Sequence, residues 1–205
     1  LDGYDDYMSV NNSPDFELDS AGAFCADWWF RTDDWQAANT PTNDTTGDWM
    51  MLVSNEGVWY ISYNQSTKTI RYQEWTGGVN SRDYSLGGTG LSTNVWHHFT
   101  VDRTGAGIQH MYINGILVGS TDVGTGAVTT SNNLRWGRNN DATYGARGST
   151  YFDECRVMKS SIDRPQIKWT HTQTAGAGNK DAYDVHGWRA HGHEFSDDNA
   201  TSLLI

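Results

Sequence analysis

The sequence predicts an all-β fold in which two antiparallel sheets pack face to face. About a dozen short segments alternate bulky and polar residues between Gly-, Asn- and Thr-rich turns, and none has the period of a long amphipathic helix. Residues 96–121 contain two consecutive tight hairpins, the second closed by Asn114-Gly115. A three-stranded meander of this kind has one apolar face, so a second sheet has to cover it.

The predicted strands follow one another along the first 160 residues. Before the meander they are residues 7–10, 24–31, 49–54, 58–63, 69–75 and 81–84. The meander supplies 96–103, 108–113 and 116–120, and the last two strands are 132–137 and 150–158. The polar segment 33–48 is long for a connection in a compact domain, which indicates either disorder or function.

The composition changes after the last of these strands. Residues 169–195 hold four of the seven histidines and show little apolar periodicity. We therefore predict a domain of residues 1–160 followed by an extension or docking arm of residues 161–205. The final SLLI is apolar again, as if a new strand began there, which indicates further chain or packing on a neighbour.

Composition and charge limit the partners that we expect. The 205 residues are 37% hydrophobic and 13% aromatic, which suits one large all-β domain. A net charge of −11 repels phosphate groups, so neither nucleic acid nor an anionic membrane is an expected partner. No apolar run approaches the roughly 18 residues of a membrane-spanning helix.

The chain has two cysteines, Cys25 and Cys155, each in a predicted strand. Two are too few for a disulfide scaffold or a cysteine zinc site. Burial as two small apolar residues is favoured over a disulfide, which requires both side chains on the same face of neighbouring strands.

Six motifs in order resemble one known family. They are LDGYDDYMSV, FCADWWFR, LSTNVWHHFTVDR, MYINGILVGST, LRWGR and YFDECRVMKSS. Together they resemble the laminin G-like, concanavalin A-like lectin-glucanase jelly roll over roughly residues 1–160. The resemblance implies a two-sheet antiparallel jelly-roll sandwich. This fold carries lectins, hydrolases, lyases and purely structural modules, so the fold alone leaves the function open.

The sequence also resembles a version of this pattern that is found in tailed-phage virion proteins. There a D-E-x-R strand is followed later by an acidic turn and a Leu-rich strand, as in DECRVMK, Asp197-Asp198 and Leu203-Leu204 here. The region between departs from the pattern, because His, Gly and Ala replace an aromatic and Pro-rich run. The resemblance implies a non-catalytic decoration module on the virion surface, on capsid or tail, docked to other virion subunits through residues 161–205. The alternative is a secreted carbohydrate-binding module of an adhesin or a carbohydrate-active enzyme.

Catalytic patterns are missing from the sequence. Hydrolases of this fold that resemble laminarinases carry E-x-D-x-x-E on one strand, which supplies nucleophile and acid, and this string is absent. Asp15, Glu17 and Asp19 have part of its spacing but lie in a Pro-containing connection. His97 and His98 match a strand signature of the family. Residues 191–194 (HGHE) lack a recognisable third zinc ligand. We therefore predict that the protein is not an enzyme.

Glycan recognition pairs aromatic faces with planar polar side chains, and the predicted loops carry both. The candidate glycan-binding residues are Trp35, Trp75, Asn139, Asp141, Tyr144 and Arg147. The alternative is that they belong to ordinary polar loops or to a contact with another subunit. Four further tryptophans lie within or beside strands and are predicted to be core: Trp29, Trp59, Trp96 and Trp136.

A structural calcium ion is the cofactor that the resemblance implies. Its carboxylate ligand is Asp153 at the last strand, helped by Asp2 or Asp5 and a carbonyl such as that of Gly3. Ca²⁺ takes six to eight oxygen ligands, so an acidic N-terminal turn beside an acidic strand suits it. The alternative is that Asp153 only accepts hydrogen bonds from backbone amides of the N-terminal turn.

Overall fold

The computed structural model is a sandwich of two six-stranded antiparallel sheets. It describes residues 7–17, 23–35, 49–75, 80–87, 90–127, 132–139, 145, 149–159 and 201–204. The strands are β1 (Met8–Val10), β2 (Phe24–Thr32), β3 (Trp49–Asn55), β4 (Trp59–Asn64), β5 (Thr69–Glu74), β6 (Asn80–Ser85), β7 (His97–Arg103), β8 (Ile108–Ile113), β9 (Ile116–Asp122), β10 (Leu134–Trp136), β11 (Thr150–Met158) and β12 (Thr201–Leu204). A 3-10 turn covers Pro14–Phe16.

The strand order confirms the predicted sandwich. The first sheet runs β1-β10-β3-β4-β5-β6 and the second runs β12-β11-β2-β7-β8-β9. The predicted meander is the run β7-β8-β9. Its second hairpin turns at Asn114 and Gly115, whose φ angles of 52° and 75° are those of the left-handed region that Asn-Gly turns require. No helix in the described part of the chain is long and apolar enough to span a membrane.

The space between the sheets is filled with large aromatic side chains. Alternate residues of β2, including Trp28 and Phe30, point into the core. The Trp28 ring stacks on Phe99 at 5.5 Å between centroids, with 7° between the planes. Trp59 and Trp136 are also core residues, as the sequence predicts.

Of the other two tryptophans predicted as core, Trp29 is buried as predicted and Trp96 is not. Trp29 is fully buried, but it alternates with the core residues of β2 and therefore lies on the outer face of the second sheet. Trp96 precedes β7 and is only half-buried. Its ring meets the exposed Tyr151 edge-on at 6.4 Å. The prediction that Trp96 is a core residue is therefore wrong, because Trp96 lies just before the first residue of β7.

A buried ion pair links the two sheets. The guanidinium of Arg103 on β7 lies 3.2 Å from the carboxylate of Glu74 on β5, and both side chains are fully buried. Arg103 also donates to the carbonyl oxygen of Gly124 at 2.7 Å. Breaking such a pair by removing one partner leaves an uncompensated buried charge, so this contact fixes the relative position of the sheets.

Both cysteines are free and buried, as predicted. They lie on neighbouring strands, β2 and β11, but on opposite faces. Cys155 belongs to the core between the sheets, whereas Cys25 alternates with the core residues Phe24 and Ala26. A disulfide between them is therefore excluded by geometry.

The end of the chain returns to the sandwich. In β12, Leu203 pairs with Val157 and Leu204 with Arg156 of β11, so a strand forms where the sequence turns apolar. Residues 161–200 lie outside the described residues. The division into a domain of residues 1–160 and an arm of residues 161–205 stays a prediction.

Candidate functional site

The outer face of the first sheet carries a continuous row of polar side chains. Leu134, Val53 and Tyr72 point into the core, so the residues that alternate with them point outward. Register places one outward residue of every strand directly beside the next. In strand order these residues are Ser9, Arg135, Ser54, Tyr60, Gln73 and Ser81. The row crosses all six strands.

Hydrogen bonds order one half of this row. The Tyr60 hydroxyl donates to Gln73 Oε1 at 2.7 Å, and the Ser81 hydroxyl donates to the same oxygen at 2.6 Å. Burial raises the pKa of Tyr60, so its phenol keeps the proton that it donates. The two bonds fix the Gln73 amide plane and direct its NH₂ group away from both hydroxyls.

Ser54 occupies the middle of the row and differs from its neighbours. Its side chain is fully buried, and its hydroxyl oxygen has no hydrogen-bond partner among the described residues. Buried hydroxyl groups nearly always have a partner, because leaving one unpaired costs roughly 1–3 kcal/mol. Because the oxygen has less than 1 Å² of accessible surface, a ligand reaches it only when neighbouring side chains move.

Aromatic rings flank the row on three sides. The half-buried Trp75 meets Tyr60 at 5.5 Å between ring centroids. The guanidinium of Arg71 lies 4.0 Å above the ring of Trp49, and that of Arg135 lies 4.8 Å above the ring of Tyr7. We call this surface, made of the polar row together with Tyr7, Trp49 and Trp75, the aromatic face.

Arg71 is held over Trp49 by a carboxylate. Its Nε and Nη2 donate to the two oxygens of Asp83 at 2.7 and 2.9 Å. This bidentate hydrogen bonding raises the pKa of Arg71, so its guanidinium stays charged. The positive charge is thereby neutralised locally, and the face presents mainly neutral hydrogen-bonding groups.

The structure separates the predicted glycan-binding residues. Trp75 lies on the aromatic face. Asn139 is a buried neighbour of that face, since its carbonyl oxygen accepts a hydrogen bond from Arg135 at 3.2 Å. Asp141, Tyr144 and Arg147 lie outside the described residues.

Trp35 does not lie on an exposed loop as predicted. It is 1% exposed, and its indole N–H donates to the carbonyl oxygen of Ser92 at 3.0 Å. Its ring packs on Phe30 and Tyr63, each at 5.1 Å. Trp35 is therefore a core residue, because the chain just after β2 stays packed against the sandwich.

Tyr60, Gln73 and Ser54 are the residues that the sequence analysis missed. All three lie in strands that were predicted correctly. Their outward direction could have been found by comparing the two alternating sets of β4 and β5. In β4 the prediction of Trp59 as core already places Tyr60 in the outward set, but the sequence analysis did not follow that alternation across the neighbouring strands.

The histidine pair is structural. Burial lowers the pKa of His97 to about 4, so the ring is neutral near pH 7. Its Nε2–H donates to the carbonyl oxygen of Ser92 at 3.1 Å, and its Nδ1 accepts from the Asn114 amide at 3.3 Å. His98 is 1% exposed in β7. Neither ring is open to a substrate.

The calcium prediction rests on Asp153 in the described part of the chain. Asp153 Oδ1 accepts a hydrogen bond from the backbone N–H of Glu154 at 2.8 Å. Asp2, Gly3 and Asp5 lie outside the described residues, and within those residues no three His, Cys, Asp or Glu side chains gather to hold a metal. One half-buried carboxylate at a strand irregularity suits a hard cation but does not make a site, so calcium stays a prediction.

Comparison with known families decides the classification. The model described as the Concanavalin A-like lectin/glucanases superfamily matches residues 2–168. The chain belongs to this superfamily. The match includes every strand described above except β12, and it agrees with the two-sheet sandwich. No curated protein matches the chain.

Solved structures with the same fold are distant in sequence. The binding domain of Paraclostridial Mosquitocidal Protein 1 has a TM-score of 0.58 at 16% identity, over 81% of this chain and 43% of that one. A candidate carbohydrate binding protein from Bacteroides ovatus has 0.58 at 14%, over 85% and 47%. A heptameric SAP-like pentraxin from Limulus polyphemus has 0.52 at 12%, over 78% of each chain. This chain thus spans less than half the length of the first two, and the likeness concerns the fold alone.

Proposed function

We propose that this protein is a non-catalytic glycan-binding module and that the aromatic face is its binding surface. The observation that carries the proposal is the polar row, in which Tyr60 and Ser81 orient the Gln73 amide close to the half-buried ring of Trp75. A sugar hydroxyl supplies both a donor and an acceptor, so it can bond to hydroxyl and amide groups of this row in either direction.

The rest of the face suits the same ligand. Sugar rings have apolar C–H faces that pack on aromatic rings, and Trp75 and Tyr60 offer such rings beside the row. The amide NH₂ of Gln73 is left to donate a hydrogen bond to a sugar oxygen, because both hydroxyl groups bond to its Oε1. The row spans five gaps between neighbouring strands of about 4.8 Å each, or about 24 Å in total. An oligosaccharide lying across the strands fits this length better than a single sugar.

The carboxylates argue for binding without cleavage. Glycoside hydrolysis needs a pair of carboxyl groups on either side of the scissile bond. Two described carboxylates lie near Tyr60 of the aromatic face: both oxygens of Asp83 accept from Arg71, and Glu56 lies in the turn between β3 and β4. Glu74 points into the core. The lectin-like fold and the binding domains that share it support the same class of function.

The test is a glycan array followed by calorimetric titration with the best oligosaccharide. Trp75→Ala and Tyr60→Ala are expected to weaken binding about tenfold or more, the effect of losing roughly 1.4 kcal/mol of contact energy. Tyr151→Ala is the matched control, because Tyr151 is a 48% exposed aromatic residue of the second sheet. Absence of binding to every glycan, or equal losses in all three variants, would contradict the proposal.

Display on a virion surface is the second candidate, with secretion as the alternative. The specific support is β12, because its pairing with β11 reproduces the Leu-rich strand that follows D-E-x-R in the phage-like pattern. Residues 161–205 would then contact other virion subunits. Antibody labelling of particles purified from the source is expected to decorate their surface. Recovery of the protein only as free protein in the medium would favour the secreted module.

Bound calcium is a further part of this proposal. Asp153 with Asp2, Asp5 and the Gly3 carbonyl would hold the ion and tie the N-terminal turn to β11. Calcium is then expected to raise the Tm of the protein above its value in EDTA, and Asp153→Asn is expected to remove the difference. Equal Tm values in calcium and in EDTA would argue against the ion.

A further inference from the structure

The free edges of the two sheets meet along β6 and β9, and they close tightly at one end. Arg82 Nε donates to the Thr121 hydroxyl at 3.3 Å, and Arg82 Nη2 donates to the Asp122 carbonyl oxygen at 3.5 Å. The Tyr84 ring covers Gly119 so closely that a Cβ there would come within 2.2 Å of the ring. A larger residue at position 119 would push this end open.

At the other end the same two edges diverge and leave a cleft of about 400 Å³. Six of its ten lining residues are aliphatic, and its accessible lining is divided about equally between polar and apolar atoms. The lining residues are Ser85, Leu86, Gly90, Leu91, His97, Ile113, Asn114, Ile116, Leu117 and Val118. We call this space the edge cleft. It lies between the sheet edges, whereas the aromatic face lies on the outside of the first sheet.

The rim of the edge cleft includes two exposed aliphatic residues that are consecutive in the sequence. Ile116 is 71% exposed and Leu117 is 51% exposed, the highest values for large apolar residues in the described part of the chain. Exposed aliphatic residues on an edge strand invite unwanted pairing, and proteins commonly avoid them. Their position at the mouth of a cleft indicates a ligand rather than an accident of the surface.

The polar groups of the cleft are already bonded within the protein. His97 donates to Ser92 and accepts from Asn114, as described above. Asn114 Oδ1 also accepts from the backbone N–H of His98 at 2.9 Å. With these two side chains engaged, the aliphatic lining residues are left for the apolar part of a ligand, and the rest of the polar lining suits its polar end. The net charge of −11 disfavours an anionic ligand.

We propose that the edge cleft is a second binding site, which takes the apolar part of a small neutral amphipathic molecule and leaves its polar end in solvent. A volume of about 400 Å³ falls within the range of small-molecule pockets. Closure by Arg82 and Tyr84 prevents an extended chain from passing through. A second copy of the protein is a poor occupant, because two aliphatic side chains fall far short of the roughly 800 Å² that each partner buries in a stable interface.

The probe is 1-octanol, titrated into the full chain and followed by methyl NMR. Saturable shifts are expected for the inner walls, Leu86, Leu91 and Ile113. Ile116→Gln and Leu117→Gln lie on the exposed rim, so both variants are expected to fold and to bind about fivefold more weakly, the effect of losing roughly 1 kcal/mol of apolar contact. Tyr151→Gln, an exposed apolar residue elsewhere, is expected to leave the affinity unchanged.

Three outcomes would overturn the edge-cleft proposal. The first is a set of octanol-induced chemical shifts that is scattered over the surface or confined to Ile116 and Leu117, because such shifts indicate adsorption to the surface. The second is an equal loss in the Tyr151→Gln control. The third is a dimer in sedimentation velocity that Ile116→Gln dissociates, which makes the rim an interface between copies. Glycan binding by the aromatic face is measured separately, so the two proposals fail independently.

Discussion

The outer faces of both sheets carry polar and aromatic side chains, but these side chains differ between the sheets in their burial and in their hydrogen-bond partners. On the second sheet, Asp27, Trp29 and His98 point outward and are nevertheless at most 1% exposed. Arg156 donates to Asp27 at 2.8 Å, and the Trp29 indole N–H donates to Glu154 at 3.1 Å. On the first sheet, the aromatic face combines a half-buried rim with the unpartnered hydroxyl of Ser54.

This difference distinguishes side chains that stabilise the fold from side chains that are proposed to bind a ligand. A buried carboxylate in contact with an arginine holds the fold together, because neither charge tolerates the loss of the other. A buried hydroxyl without a partner contributes nothing to the fold and becomes useful only when something else bonds to it. Polar residues on a sheet face are therefore informative only together with their burial and their partners.

The largest expected effect comes from the second sheet. Asp27→Ala leaves Arg156 without its buried carboxylate and is expected to lower the free energy of unfolding by about 3–5 kcal/mol. Urea unfolding measures this loss. Glycan affinity of the remaining folded protein is expected to stay unchanged. A loss below about 1 kcal/mol would mean that this face is not a structural network.

Ser54→Ala tests the first sheet through its effect on stability. Removing an unpaired buried hydroxyl is expected to raise the free energy of unfolding by about 1 kcal/mol. Ser81→Ala is the matched control, because its hydroxyl bonds to Gln73, so its loss is expected to destabilise the fold by about 1 kcal/mol. Destabilisation by Ser54→Ala would show that its hydroxyl has a partner within the chain.

The smallest effect is expected at the exposed rim of the aromatic face. The side chains of Arg71 and Asp83 are 27% and 44% exposed. Because solvent screens such a pair, Asp83→Asn is expected to change the free energy of unfolding by less than about 1 kcal/mol. Thermal unfolding of Asp83→Asn and of Asp27→Ala under the same conditions compares the two losses of stability directly. Similar losses in both variants would erase the distinction between the two faces.

The strands could be read from the sequence because their signals are local. Alternation located β11 at residues 150–158, and Asn114-Gly115 marked the hairpin between β8 and β9. The polar row could not be read in this way. It depends on the pairing of β1 with β10 and of β10 with β3, which brings Ser9 beside Arg135 and Arg135 beside Ser54. No local pattern encodes a register between strands so far apart.

The errors have a similar origin. Trp35 follows a strand and precedes a long polar segment, so its neighbours in sequence indicate exposure. Its position is decided instead by packing of its ring against Phe30 and Tyr63 in the core. For the proposed binding surface, the sequence suggested Trp75 and the proposed class of ligand, but it directed the search to loops rather than to the outer face of a sheet.

The pairing of β2 with β11 also has a consequence for the time course of folding. Trp29 on β2 bonds to Glu154 on β11 across 125 positions of the chain. The second sheet therefore cannot be completed until a very long loop has closed, and such closure delays folding because its entropic cost precedes its contacts. We expect refolding in milliseconds to seconds, with the β7-β8-β9 meander protected from hydrogen exchange before β2 and β11.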